Sequence, residues 1–152
     1  MEQQVPNTEL APSLMRGRVE HLQRVISELP QYEPETVHTF HGGMYCRQVF
    51  RHADVVIVGR VHKKEHFYLV VFGTVRITTD EGVQEITGPR LLCSKSGTKR
   101  AVYAVTDALC MTFHVVQATD VAAAESELVE GDPTAMFTIG NKLKSKELPC
   151  HS

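Results

Sequence analysis

Hydrophobic and polar residues alternate in short runs through the middle of the chain, and this pattern predicts an all-β domain. Turn residues separate the runs, among them Asp80–Gly82, Gly88–Pro89 and Ser96–Gly97. Many short strands at close spacing are typical of a sandwich or barrel rather than a parallel sheet. The predicted strands lie near 44–50, 54–61, 66–72, 74–79, 83–87, 90–94, 99–105 and 108–116.

A segment before the strands has helical spacing. We expect a helix from about Leu14 to Leu29, with Ser13 as its N-cap and Pro30 as its stop. Its seam packs either on the chain's own barrel or on a neighbouring subunit, and the sequence does not decide between the two. The apolar residues of the seam are Met15, Val19, Leu22, Ile26 and Leu29.

A second helix is predicted after the last strand. It runs from Thr119, as its cap, to about Glu130, where Gly131–Pro133 ends it. Residues 31–43 are expected to be a linker that closes in an extended lead-in. The predicted organisation is therefore an arm (1–12), a helix (13–30), a β-barrel (31–118) and a C-terminal helix with a polar tail (119–152).

Composition narrows the class of protein. The formal net charge of −2 argues against nucleic-acid binding as the main role, since no global basic field would attract a polyanion. No apolar run approaches membrane-spanning length, and residues 1–12 have no signal-peptide pattern, so we expect neither a membrane partner nor secretion. The cysteines lack C-x-x-C spacing and are expected to stay reduced, with Cys93 and Cys110 as small buried hydrophobes.

Two segments resemble the paired motifs of the cupin superfamily. They are Gly59–Gly73 and Gly88–Arg100. In that family the motifs read G-x5-H-x-H-x3,4-E-x6-G and G-x5-P-x-G-x2-H-x3-N, and three histidines and a glutamate bind a divalent metal. The resemblance covers about residues 40–116. It implies a small antiparallel β-barrel or jelly roll, which in this chain is flanked by an N-terminal and a C-terminal helix.

The family's metal ligands are only partly present at the matching positions. With Gly73 as the closing glycine, His62 stands at the second histidine and His66 at the glutamate. Arg60 and Arg100 stand at the other two ligand positions. Arginine has no lone pair to offer a metal, and two guanidinium groups would repel a cation. The resemblance thus supports the fold and speaks against the family's usual metal chemistry.

A modified metal site stays open as an alternative. His114, His38 or His41 could supply a third ligand beside His62 and His66, and His114 is the first choice. Three imidazoles with an open position would suit iron, manganese or zinc. The competing interpretation is that these are strand-end histidines that make ordinary hydrogen bonds.

A small anionic ligand is the second hypothesis, because arginine forks match carboxylate or phosphate. Alternatively, the arginines form a solvated basic rim or an internal ion pair, for instance with Glu65. The candidate pocket residues are Arg60, His62, His66, Tyr68 and Arg100.

The run from His62 to His66 also fits H-x-x-E-H, a zinc-peptidase string. That chemistry needs a helix that presents both histidines on one face. Here the string lies between β-branched and aromatic runs, so a helix is not expected, and we set the peptidase interpretation aside.

The whole chain is also similar to small cupin-like proteins encoded by tailed bacteriophages. The shared features include the leading helix, Gly43–Arg47, Gly97–Arg100 and a Glu-rich trailing helix. This resemblance implies a non-enzymatic, oligomeric structural or accessory component of the virion. Its partners would be copies of itself and other virion proteins, first in the host cytoplasm. The alternative is a metal- or anion-binding cupin, either a small-ligand binder or an enzyme such as an isomerase or oxygenase.

Overall fold

The chain folds into nine strands and two helices over the residues that the computed structural model describes, 11–137 and 142–143. None of these helices is long and apolar enough to cross a bilayer. In chain order the elements are α1 (Ala11–Ile26), β1 (Glu35–His41), β2 (Met44–Arg51), β3 (Val56–Val58), β4 (His66–Phe72), β5 (Thr74–Thr79), β6 (Gly82–Thr87), β7 (Arg90–Ser94), β8 (Ala101–Ala104), β9 (Ala108–Val115) and α2 (Val121–Leu128).

The strands form two antiparallel sheets with a shared core. One sheet has the order β1-β2-β9-β4-β7 and the other has the order β3-β8-β5-β6. Inward side chains such as Val70, Ile77, Val102 and Cys110 make up the core between them. The predicted fold class, an antiparallel jelly roll with two flanking helices, is confirmed. Over the described residues the hydrogen bonding leaves two separate sheets, so the closed barrel expected from the sequence is a two-sheet sandwich.

Strand β1 is the main error of the sequence prediction, which assigned residues 31–43 to a linker. Its seven residues pair with β2 in continuous register from Glu35↔Phe50 to His41↔Met44. The inward positions include Thr36 and His38, which are polar, so the strand lacks the apolar alternation that identifies the others. The strands predicted over 54–61 and 99–105 are shorter than expected.

Helix α1 begins and ends three residues earlier than predicted, and Ser13 lies within it rather than at its N-cap. The helix ends before Pro30 because the Gln31 side chain donates a hydrogen bond to the Ile26 carbonyl at 2.6 Å. The seam packs on Val58 and Ala101 of the same chain. Of the two arrangements that the sequence left open, the structure therefore has the intramolecular one.

Helix α2 is capped by Asp120, one residue after the predicted Thr119, and its carboxylate accepts a hydrogen bond from the Ala123 amide at 2.8 Å. The predicted polar tail is not polar at its start, since Ala135 and Phe137 are buried. The remainder of that tail (138–141 and 144–152) and residues 1–10 of the predicted arm lie outside the described residues.

Gly73 joins the two sheets at the link between β4 and β5. Its φ of 86° lies in the left-handed region, and an added Cβ would sit 2.2 Å from the Asp107 carbonyl oxygen. Gly82 also has a positive φ, of 107°, but nothing lies within 4 Å of its Cβ position. A substitution at Gly82 therefore introduces backbone strain alone, whereas one at Gly73 introduces both backbone strain and steric overlap.

We expect Gly73→Ala to destabilise the fold by about 2–5 kcal/mol, because alanine adds overpacking of about 1–3 kcal/mol to a left-handed backbone cost of about 1–2 kcal/mol. Gly82→Ala, the matched control, should cost only the backbone part. Urea unfolding of both variants checks this, and equal losses would show that the close approach at Gly73 is not rigid.

Candidate functional site

A cavity of about 140 Å³ lies between the two sheets. Alternate residues of β2, β4 and β9 form one wall, and β3 and β8 form the other. Helix α2 and residues 135–137 close one end of the cavity. The chain just before residue 135 is held to the domain by the Lys99–Asp132 ion pair and by a hydrogen bond from Gln23 to the Thr134 carbonyl. The cavity is thus lined by side chains and closed at one end by α2 and residues 135–137.

Three histidines meet at this cavity. His62 forms an isolated bridge with Val129, His66 begins β4, and His114 lies on the inward face of β9. Their ring centroids are separated by 4.3 Å (His62–His66), 4.6 Å (His66–His114) and 5.8 Å (His62–His114). These are the three histidines that the sequence offered as metal ligands, and the fold brings them together.

Burial keeps these imidazoles neutral at pH 7. It lowers the pKa of His62 to about 3, helped by His66, His114 and Arg47. It also lowers the pKa of His114 to about 3, helped by His66 and Arg47. Burial and the nearby Arg100 lower the pKa of His66, whereas a hydrogen bond to the Lys64 carbonyl raises it; the net effect is a lowered pKa.

The histidine cluster does not fit the divalent metal that the resemblance implies. The three ring planes are inclined to one another by 3° to 33°, and His114 Nε2 is already engaged in a hydrogen bond with Thr112 Oγ1 at 2.8 Å. Arg47 and Arg100 add positive charge beside the rings. Over the described part of the chain, no group of three or more His, Cys, Asp or Glu is arranged to hold a metal ion. The iron, manganese or zinc site that the sequence left open as an alternative therefore gains no support from the described residues.

Two further cavity arginines, Arg47 and Arg51, were missed by the sequence analysis. They alternate with Tyr45 and Val49 on the inward face of β2, and all four residues line the cavity. Arg47 lies within the predicted strand 44–50 at the same parity as Tyr45 and Val49, which is the signal that could have found it. Arg51 lies one residue beyond the predicted strand.

Arg51 is the least satisfied of these groups. Its Nε and Nη1 atoms are buried and make no hydrogen bond of normal geometry, and the same holds for the Tyr68 hydroxyl and for Arg100 Nε. Burial lowers the pKa of Arg51, but the nearby Tyr68 hydroxyl and Cys110 thiol outweigh it and raise that pKa. The nearest groups to this guanidinium are therefore a hydroxyl and a thiol, and neither carries a full negative charge at pH 7. Burial raises the pKa of Tyr68, so its hydroxyl keeps the proton as a donor. Unpartnered buried donors are rare in folded proteins and mark a place where a partner is expected.

Arg100 is held firmly at its other nitrogens. Nη1 donates to the Thr78 carbonyl at 2.8 Å, and Nη2 donates to Ser94 Oγ at 2.9 Å. Its guanidinium carbon lies 5.8 Å from the centroid of the Tyr68 ring. The side chain is thus fixed with Nε left unpartnered.

Arg60 stands at the mouth of the cavity rather than in its interior. It forms an ion pair with Glu125 and donates to the Glu130 carbonyl at 2.8 Å. The alternative of an internal ion pair is therefore realised, but with Glu125 instead of Glu65, which is exposed. Arg60 ties the barrel to α2 and is not available to a ligand in this arrangement.

The other histidines considered as ligands differ in position. His38 lines the cavity, and its Nδ1 lies 2.5 Å from the Tyr45 hydroxyl. His41 is exposed at the end of β1 and does not line the cavity. The run from His62 to His66 is not helical, as expected, so the arrangement that a zinc peptidase requires is missing.

Charge is unbalanced among the described residues that line the cavity. Four are arginines, and the one carboxylate, Glu125, is bound to Arg60. Arg47, Arg51 and Arg100 therefore share the interior with neutral histidines and tyrosines. Since guanidinium groups stay protonated in proteins, the interior carries a surplus of positive charge.

No protein-family model and no curated protein matches the sequence. Solved structures match its fold. Salicylate 1,2-dioxygenase from Pseudoaminobacter salicylatoxidans has a TM-score of 0.52 at 10% identity, over 75% of this chain and 33% of that protein. KdgF from Halomonas sp. has a TM-score of 0.48 at 12% identity, over 55% of this chain and 80% of that protein. A cupin superfamily protein from Desulfitobacterium hafniense has a TM-score of 0.46 at 10% identity, over 61% of this chain and 88% of that protein. The chain has a jelly-roll fold with cupin-superfamily proteins among its structural neighbours.

The neutral histidines make stability depend on pH. Because the pKa of His114 is about 3 in the folded chain and about 6.5 when unfolded, only the unfolded chain binds its proton between these values. The contribution of His114 to the free energy of unfolding should therefore be constant above about pH 6.5 and fall as the pH drops toward 3. His114→Gln should reduce the slope by up to about 1.4 kcal/mol per pH unit. Urea unfolding at pH 7 and pH 5 measures the change in the free energy of unfolding per pH unit. The control is His21→Gln, on the exposed side of α1. An unchanged slope in His114→Gln would contradict the assignment.

Proposed function

We propose that the protein binds a small organic carboxylate in the cavity between its sheets. The observation that carries the proposal is Arg51, whose Nε and Nη1 atoms are buried without a hydrogen-bond partner. A buried charge is stable only when it is paired. A carboxylate would supply the opposite charge, and its two oxygens offer several lone pairs that can accept these N–H groups.

The size and walls of the cavity favour an organic anion. Its volume of about 140 Å³ is close to that of an engineered cavity, about 150 Å³, that accepts benzene. Val49, Ile57 and Val102 give it apolar sides, next to which a hydrocarbon part of a ligand could pack. Inorganic phosphate would leave these walls without a partner.

The donors around the apolar walls would fix the orientation of such a ligand. The Tyr68 hydroxyl and Arg100 Nε are unpartnered donors that line the same cavity as Arg51. The neutral histidines can accept or donate a hydrogen bond without adding charge. This set supports binding. It does not by itself assign a reaction, so an isomerase or oxygenase activity stays an open hypothesis.

The virion role remains a prediction from the resemblance to phage-encoded proteins. None of the structural neighbours named above is described as a phage protein, and their likeness bears on the fold alone. Binding of a carboxylate is compatible with an accessory role in a particle and with a free binding protein.

A ligand screen tests the proposal. Acetate, succinate and benzoate are each compared with the matching amide by thermal unfolding and calorimetry, with inorganic phosphate as a further arm. At least one carboxylate should raise the melting temperature while its amide does not, and Arg51→Met should abolish the shift. Arg76→Met, at an exposed arginine of β5, should leave it intact. Equal stabilisation by the amide, a shift with phosphate alone, or retained binding in Arg51→Met would refute the proposal.

The same substitution should stabilise the ligand-free protein. Arg51→Met removes a buried charge with two unpartnered donors and keeps most of the volume, so we expect a gain of about 1–3 kcal/mol in the free energy of unfolding. Arg76→Met should change it by less than about 1 kcal/mol, because its ion pair is exposed. Urea unfolding without ligand measures both. A loss of stability in Arg51→Met would mean that Arg51 is already satisfied within the chain.

A further inference from the structure

The outer face of the five-stranded sheet is apolar and carries no described helix. Helix α1 packs on Val58 and Ala101, in the other sheet, and α2 contacts Tyr45 and Val116. Large side chains of the outer face are about half-exposed or more: Val37 (55%), Met44 (54%), Phe67 (49%), Leu91 (52%) and Val115 (75%). Contiguous exposed apolar surface of this kind marks an interaction site in a soluble domain.

The strand register sets these side chains in continuous rows. One row runs across four strands through Cys46, Phe113, Phe67 and Cys93. The next row consists of Gln48, Met111, Leu69 and Leu91. Cys93, which the sequence analysis expected to be buried, is exposed because it lies in the outward row of the edge strand β7.

The outer face is almost free of charge. Among its outward-facing strand residues, the one Asp, Glu, Lys or Arg is Glu35, at a corner of the sheet. Depletion of charged residues, together with aromatic residues and methionine at the centre, is typical of the core of a protein–protein interface. An uncharged face does not repel an identical face, so it can serve both sides of a two-fold contact.

The size of the face matches a small dimer interface. Five strands about 4.8 Å apart, with seven residues each rising about 3.4 Å, span roughly 500 Å² in projection, and side-chain relief increases the accessible area. A standard interface buries about 800 Å² per partner. A dimer would therefore use nearly the whole face, and a single charge at its centre should be costly.

We propose that this outer face is the contact surface between two copies of the chain. The sheets pack face to face about a two-fold axis, with the strand directions about 30° apart, as in β-sandwiches. Phe67 and Phe113 lie in the central rows, and the ligand cavity stays on the opposite side of each sheet. The proposal does not depend on carboxylate binding.

Sedimentation equilibrium on the full chain tests the proposal. The wild type should be a dimer at micromolar concentration. Phe67→Glu and Leu91→Glu each place two carboxylates in the symmetric contact and should raise the dissociation constant at least about 100-fold. Val83→Glu makes the same kind of change at an exposed β6 residue of the other sheet (65% exposed) and should leave the dimer intact. Two outer-face variants are used in case one does not fold, which circular dichroism will show.

Each other outcome overturns the proposal. A monomeric wild type would assign the face to another occupant, either residues 1–10 or 144–152 of the chain or a different protein. A dimer that survives both outer-face substitutions in folded protein, or that Val83→Glu weakens equally, would place the contact elsewhere.

Discussion

One electrostatic constraint governs the interior of this domain: guanidinium groups are buried between two sheets without matching carboxylates. Arg47, Arg51 and Arg100 line the cavity with one carboxylate, Glu125, which Arg60 already binds. An arginine cannot lose its proton to escape this situation, as a lysine or histidine can. The charge must be met by neutral dipoles, by Tyr68 and the histidines, or by an anion from solution.

The same charge explains the state of the histidines. Buried imidazoles beside arginines stay neutral at pH 7, because both burial and the neighbouring positive charge oppose the imidazolium form. Of the two arginines at the positions that match family metal ligands, Arg100 adds positive charge to the interior, whereas the charge of Arg60 is paired with Glu125. The jelly roll is retained because its core, with Val70, Val75 and Ile77, does not involve these positions.

Much of the fold could be predicted from sequence because most strands have apolar inward residues. β4, β5 and β7 lie where their apolar runs predicted them. β1 could not be found in this way, because its inward residues include polar Thr36 and His38, and His38 lines the cavity. A strand that faces a polar interior loses the alternation that reveals strands, so functional positions are hard to see by hydrophobic pattern.

Only part of the candidate site could be predicted from the sequence. His62, His66, Tyr68 and Arg100 follow from the cupin-like motifs, and His114 follows from the alternation of β9. Arg47 and Arg51 belong to neither motif. The parity of Arg47 with Tyr45 and Val49 could have indicated its inward direction, whereas Arg51 lies beyond the predicted strand, and its position in the cavity is known from the fold. Glu125 is distant in sequence from Arg60, so their ion pair required the packed position of α2.

Nitrogen-15 NMR of the arginine side chains tests the central claim most directly, because it observes the Nε–H group of Arg51 itself. In the free protein this proton should exchange slowly with water, and a saturating carboxylate should shift its resonance downfield as the new hydrogen bond forms. Rapid exchange like that of exposed Arg76, with no shift at saturation, would contradict a buried guanidinium that awaits an anion.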